Sequence, residues 1–332
     1  MSRKTILLSQ ACEGMIRYKQ ATGKSENTIA DYRVTFKKLL YYFESDPQFG
    51  TLTRGQLIEF FAWLQEDYLT EPDGVAPRGK FKLSAKTVLN IHTNLSALWR
   101  WGVDEGFVKT NIIRAIQPPA ISESVIETFT REDIEKLLRA CDHGRTWKTR
   151  PETASERSTA VRDRAIILTL LDTGVRASEL AGIKFSDLNM STNTIKVRGK
   201  GPGRDAKERL VHIGKRSAQA IWKSLLPRIN DMRDDSPIFV VGFQADWRPL
   251  SRQHLRLLLH RIGERAGVKK VHPHRFRHTF AINYLRNGGG EFTLCALLGH
   301  TDLEMTRRYA RIAQVDTADG HRRAGPVDNW RL

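Results

Sequence analysis

Cysteine is scarce in this chain. Three residues in 332, Cys12, Cys141 and Cys295, stand far apart, and none forms a CxxC pair. That spacing excludes a disulfide framework or a zinc ribbon and fits a reducing compartment. Long apolar runs are missing too. Nothing approaches the ~20 residues a membrane span needs, and the apolar stretch in "MSRKTILLSQACEGMIRYK" is too short for a signal peptide. The expectation is a soluble, cytoplasmic protein without a membrane partner. Acidic residues are under-supplied: 37 Asp and Glu stand against 54 Lys and Arg, a net charge of +17. Such an excess favours a polyanion, nucleic acid before an anionic membrane surface, because long-range attraction concentrates phosphate.

What is present has the composition of a globular protein, 40% apolar and 27% charged. The length predicts two domains, each with its own core. "SENTIADYRVTFKKLLYYFE" places Ile29, Tyr32, Phe36, Leu39, Leu40 and Phe43 on one helical face. "TRGQLIEFFAWLQ" opens with Thr53 and Gln56 at capping-box spacing, and "SAKTVLNIHTNLSALWRWGVDEG" repeats Val88, Ile91, Leu95, Leu98 and Trp99 until Gly106. Between these two helices, "YLTEPDGVAPRGKFKLS" reads as a loop, and its Arg78, Lys80 and Lys82 are candidates to touch a phosphate backbone. The Pro pair and small polar residues of 116–127 read as a linker. Beyond it come a capped helix from Thr130, a charged insertion over 142–160 and the all-round apolar helix "RAIILTLLDTG". "NTIKVRGKGPGRDAKERLVHIG" has the alternation of a β-hairpin. Helical segments follow at 215–226, 251–266, 274–286, 291–298 and 302–312, then an aperiodic basic tail from 313 to 332.

Four short stretches carry candidate chemistry. In "TGVRASEL", Glu179 lies three positions after Arg176, on the side of the helix where it could hold the guanidinium. In "RGKG", glycines flank Lys200 and let backbone approach a ligand. "HPHRFRHTF" crowds three histidines and two arginines into nine positions. His274 and Arg277 share a helix face, whereas His278 is expected to point elsewhere, and Arg275 is a further candidate for contact with DNA. His274 and His278 have the spacing of a helical zinc pair. No HExxH glutamate accompanies them, and so many guanidiniums would oppose a dication, so no metal is expected. In "LLGHTDLEMTRRYARI", His300 occupies a turn and Tyr309 is bracketed by Arg307, Arg308 and Arg311. Two arginines, a lysine, two histidines and a tyrosine describe phosphoryl transfer. Guanidiniums neutralise the non-bridging oxygens, a phenol is the nucleophile, and imidazole and ammonium move the protons.

These four stretches, in this order, resemble the box motifs of the tyrosine recombinase, or lambda integrase, family. The N-terminal helices also resemble its core-binding domain, and the two-domain Xer-type members are the most similar. The resemblance implies a mainly α fold with a small β-sheet. A helical, SAM-like core-binding domain (1–115) and a mixed α/β catalytic domain (128–312) would form a C-shaped clamp on DNA, and the tail over 313–332 would be exchanged between protomers. It implies a site-specific recombinase working through a 3′-phosphotyrosine without metal, ATP or other cofactor. Its partners would be double-stranded DNA with inverted-repeat sites and a homotetramer on two such sites, from a free monomer or dimer. By the same resemblance, Arg176 and Arg277 clamp the scissile phosphate and His300 bonds a non-bridging oxygen. His274 takes or relays the proton of Tyr309, Lys200 is the general acid, and Glu179 supports the pocket. The hairpin loop looks longer than in Xer-type relatives, which leaves Lys207 as an alternative acid. Type IB topoisomerases and hairpin telomere resolvases resemble the same catalytic set, and a DNA-binding regulator with an unreactive site is the alternative from another class.

Overall fold

The computed structural model describes residues 5–70, 81–121, 125–142, 157–199, 208–242, 246–299 and 304–313. Arg78, Lys80, Lys200, Lys207, His300 and the tail beyond 313 lie outside them. The chain divides into two compact units, Met1–Ser124 and Val125–Leu332.

Among its described residues the first unit holds four α-helices, α1 (Leu8–Ala21), α2 (Glu26–Tyr42), α3 (Arg54–Glu66) and α4 (Ala85–Asp104). A short antiparallel pair, β1 (Leu69–Thr70) and β2 (Phe81–Lys82), stands between the last two. Three of the helix starts are fixed by side-chain caps. Ser25 Oγ accepts from Thr28 N at 3.3 Å and Ser84 Oγ from Thr87 N at 3.2 Å. Thr53 and Gln56 bond each other's backbone N–H reciprocally. Such caps are worth about 1 kcal/mol each. The apolar faces meet in one core that includes Phe36, Leu39, Phe60, Leu64, Leu95 and Trp99. Ile116 is buried in that core, and His92 Nε2 donates to the carbonyls of Ile113 and Ile116. The stretch expected as a linker from 116 onwards therefore begins inside the first unit. At its other end Ile126 packs in the second unit, where Glu127 pairs with Lys270.

The second unit comprises α5 (Arg131–Asp142), α6 (Ala160–Thr173), α7 (Ala177–Ala181), α8 (Lys215–Leu225), α9 (Arg252–Ala266), α10 (Pro273–Arg286), α11 (Glu291–Leu298) and α12 (Glu304–Ala313). Strands β3 (Leu188–Asn189), β4 (Thr194–Arg198) and β5 (Glu208–His212) form a three-stranded antiparallel sheet in the order β3-β4-β5. The hairpin register runs from Thr194 opposite His212 to Arg198 opposite Glu208. A two-residue pair, β6 (Val240–Val241) and β7 (Arg248–Pro249), completes the strands described. As its all-round apolar sequence predicts, α6 is a core helix, with Ala165, Ile166, Ile167 and Leu170 fully buried and Gly174 closing it at φ +60°. A separate cluster of Ala281, Ile282, Leu285, Leu294, Leu298, Tyr309 and Ala313 welds α10, α11 and α12 together. Among the described residues no helix is long and apolar enough to cross a membrane.

Candidate active site

The ends of four helices, α7, α9, α10 and α11, and the start of β5 converge on a single cleft. Arg176 caps α7: its backbone N–H donates to Glu179 Oε2 at 2.8 Å and its Nη1 to Oε1 at 2.9 Å, so the expected i, i+3 support is present. Nη2 of Arg176 reaches the Gly299 carbonyl at 3.2 Å. Arg277, on α10, is buried to 3% exposure and donates to the carbonyls of Gly174 at 2.9 Å and Leu298 at 2.8 Å. The two guanidiniums thus hang from consecutive carbonyls at the end of α11. Carbonyls orient a guanidinium without neutralising it. Burial, and then the like charge of Arg176, push Arg277 down to about 10. Arg176 shares the single Glu179 carboxylate with Arg209, and Arg277 has only carbonyls, so the cluster keeps an excess of positive charge that suits an anion.

Sequence reasoning missed the group that holds this arrangement. Arg209, on β5, grips Glu179 with both Nη atoms at 2.9 Å, and its Nε donates to the Leu297 carbonyl at 2.7 Å. Burial raises the Glu179 carboxyl, but the hydrogen bonds from Arg209 and Arg176 outweigh it and leave the group below its ordinary value. Arg209 is thirty positions from its partner, and no local spacing signals the pair. At the root of the hairpin, Arg198 donates to both oxygens of Asp187 at 2.7 Å and to Glu208 at 3.1 Å. That anchors the strand two residues before Lys200.

The cleft is open, about 1090 Å³ in volume, and Arg176, Arg209, Arg252, Arg256, His272 and His274 line it with Glu208. Arg252 and Arg256 of α9 are further cations that the motif reading did not single out. His274 is exposed at the mouth, its imidazole pushed down by burial and by Arg277 and Arg176. Tyr309 is 1% exposed, and its Oη lies 2.8 Å from Nδ1 of His278. The expectation that His278 points away from the chemistry is therefore corrected: the crossing of α10 and α12 turns that face of α10 toward the tyrosine. Burial raises the Tyr309 phenol, against the lowering pull of Arg277, Arg308 and Arg176.

Arg275, expected as a contact to DNA, is held by the protein itself. Its guanidinium lies 4.0 Å from the centre of the Phe129 ring and donates to the carbonyls of Lys269 and Thr128. Those bonds, with Asp133 Oδ2 at 3.4 Å, tie the start of α10 to the stretch leading into α5 and leave the side chain 12% exposed. Lys82 is exposed on β2.

The Phage integrase family model matches residues 127–315. Among curated proteins the chain is similar to the tyrosine recombinase XerA of Pyrococcus furiosus, 27% identical over 329 residues and covering 98% of each chain. It is also similar to the tyrosine recombinase XerC of Thermodesulfovibrio yellowstonii, 27% identical over 297 residues and covering 87% of each. Among solved structures it is similar to the Tn1549 transposon integrase in complex with transposon right end DNA. That match has a TM-score of 0.70 at 17% identity and covers 92% of this chain and 94% of that one. A XerH site-specific recombinase bound to palindromic difH substrate matches with a TM-score of 0.66 at 20% identity, covering 94% and 82%. At these identities the structural likeness establishes the fold, mainly helical with small antiparallel sheets.

Proposed function

The chain belongs to the phage integrase family and is a tyrosine-type site-specific recombinase; on that premise we propose that it cleaves and rejoins double-stranded DNA through Tyr309 while Arg176 and Arg277 hold the scissile phosphate. The observation that carries this reading is the guanidinium pair on the Leu298 and Gly299 carbonyls, in the same unit that buries Tyr309. Charge that develops on the non-bridging oxygens in the transition state meets donors already in place, which is where electrostatic catalysis is strongest.

In the proposed reaction Tyr309 Oη bonds to phosphorus as the bond to the 5′ oxygen breaks, leaving a 3′-phosphotyrosine. Lys200, on the hairpin anchored by Arg198, protonates the leaving oxygen, and His300 bonds a non-bridging one. His274 stands at the mouth of the cleft, where it meets the phosphate and solvent. A 5′-hydroxyl of the partner duplex then attacks the phosphotyrosine and returns the tyrosine. The phosphoester energy is conserved, so the exchange needs no ATP. Both units contribute to DNA binding, and four protomers on two inverted-repeat sites, in the cytoplasm, complete the exchange.

A nicked suicide substrate tests this reading. The fragment beyond the nick diffuses away after cleavage, so a reactive protein accumulates as a covalent adduct on a denaturing gel. The wild-type chain should form the adduct, and Tyr309→Phe should bind the same duplex and form none. An adduct that persists in Tyr309→Phe would move the nucleophile elsewhere. Binding by the wild type without any adduct would make the protein a DNA-binding regulator.

A further inference from the structure

Tyr309 and His278 come from α12 and α10, 31 positions apart, and are held against each other by the cluster of Ala281, Ile282, Leu285 and Ala313. We propose that His278, rather than His274, receives the phenolic proton when Tyr309 attacks the phosphate. This rests on Tyr309 being the nucleophile.

A phenol titrating near pH 10 cannot keep its proton while its oxygen bonds to phosphorus, and a general base must lie within about 2.6–3.2 Å of that oxygen. Nδ1 of His278 is 2.8 Å from Oη. The rings of His278 and His274 are centred 5.6 Å apart, as are those of His278 and Tyr309. The three side chains therefore step from a buried phenol through a half-buried imidazole to an exposed one. His274 is the exit of that path, and His278 is its first stop. The Tyr309 O–H bond breaks as the Oη–P bond forms, and the proton passes to Nδ1, giving an imidazolium. Resealing returns it to the tyrosine oxygen as the Oη–P bond breaks.

The charges around the pair suit a base that waits for its substrate. Burial, then His274 on the same helix, His272 at its N-cap, Arg277 on the same helix and Arg308 on α12 push His278 down to about 4. It is neutral at pH 7 and free to accept from the phenol, which burial keeps protonated. A phosphodiester seated between Arg176 and Arg277 cancels part of that positive field and makes the imidazole more basic. Proton transfer is then coupled to the arrival of DNA.

The test uses the full chain, the nicked substrate and single-turnover adduct formation across a range of pH, with duplex binding read separately. His278→Ala should bind DNA and form adduct about a hundredfold or more slowly, the usual reach of general-base catalysis. His278→Asn keeps a hydrogen-bonding group near the Nδ1 position but takes up no proton, so it should be as slow and covers the case in which the alanine variant does not fold. Placing 3,5-difluorotyrosine at position 309 lowers the phenol's own proton affinity and should restore at least about tenfold of the rate lost in either variant. Adduct formation in both variants within about threefold of wild type would overturn the proposal, as would a slow rate that difluorotyrosine leaves untouched. So would loss of the acidic limb of the pH profile in His274→Ala but not in His278→Asn. A Tyr309→Phe chain that still forms adduct marks a different failure, that of the nucleophile itself.

Discussion

Glu179 shows how far a single residue can be read before folding. Its three-residue offset from Arg176 predicts the bond between them, because a helix places those positions on one side. The offset says nothing of Arg209, which arrives on a different strand and takes both carboxylate oxygens. The trio is a buried carboxylate shared by two guanidiniums, and removing one partner from such a group is costly. Arg209→Met should lower the unfolding free energy by about 3 kcal/mol, measured by urea denaturation. It should also slow adduct formation, because Arg176 loses the group that aims it. The same trio has a pH signature. Glu179 titrates lower in the folded chain than in the unfolded one, so its contribution is present above the ordinary carboxylate value and lost as pH falls through the lowered folded value. Comparing unfolding free energies at neutral and acid pH, the wild type should lose more on acidification than Glu179→Gln. Arg275 is the converse case. A basic residue in a basic motif reads as a nucleic-acid contact, yet Phe129 and two carbonyls take the guanidinium.

Elements with long periodic patterns were legible; short ones were not. Leu95, Leu98 and Trp99 announce α4 because twenty residues repeat the pattern several times. The two-residue strands β1, β2, β3, β6 and β7 are too short to show alternation, and pairing alone defines them. Helix ends separate sequence from context more sharply. Gly174 and Gly267 both close helices in the left-handed region, at φ +60° and +67°. A Cβ on Gly267 would meet nothing within 4 Å, whereas one on Gly174 would come 2.6 Å from Phe280 Cδ1 and 3.0 Å from Leu298 Cδ2. Gly267→Ala should therefore cost about 1 kcal/mol from backbone conformation alone. Gly174→Ala should cost a further 1–3 kcal/mol or so from overpacking. It should also slow adduct formation, because the Gly174 carbonyl holds Arg277. Thermal unfolding of the two variants, with the suicide substrate as second readout, separates these effects.

At the scale of the whole molecule the excess of 54 basic over 37 acidic residues becomes an affinity argument. Each phosphate neutralised releases counterions, so duplex binding should fall about a thousandfold or more between roughly 50 and 200 mM salt if six or more contacts form. Arg252 and Arg256 line the cleft beside Arg176, and Arg252→Ala or Arg256→Ala should each reduce the log–log salt slope by about 1 if its guanidinium meets a phosphate. A flat titration in the wild type would contradict DNA binding driven by charge. The division into two units was foreshadowed by the Pro pair at 118–119, which cannot continue a helix. The extent of the joining stretch was not foreshadowed, because burial of Ile116 and packing of Ile126 are tertiary events.

The sequence by itself determined the long periodic helices, the two-unit organisation, the attraction to a polyanion and the residue types of a phosphoryl-transfer site. Each is written in spacing, composition or short motifs, which act over a few positions or over the sum of all charges. Tertiary structure alone decided which histidine meets Tyr309 and that Arg209 joins Arg176 on Glu179. It also decided that Arg275 faces inward and that Arg277 hangs from carbonyls rather than a carboxylate. Apart from the bond of Arg275 to the Lys269 carbonyl, these pairs lie between 21 and about 150 positions apart in the chain, and the direction of a side chain across such a gap is set by how elements cross in a packed core. A change of one face on α10 exchanges His274 for His278 beside Tyr309, and no local pattern records that choice.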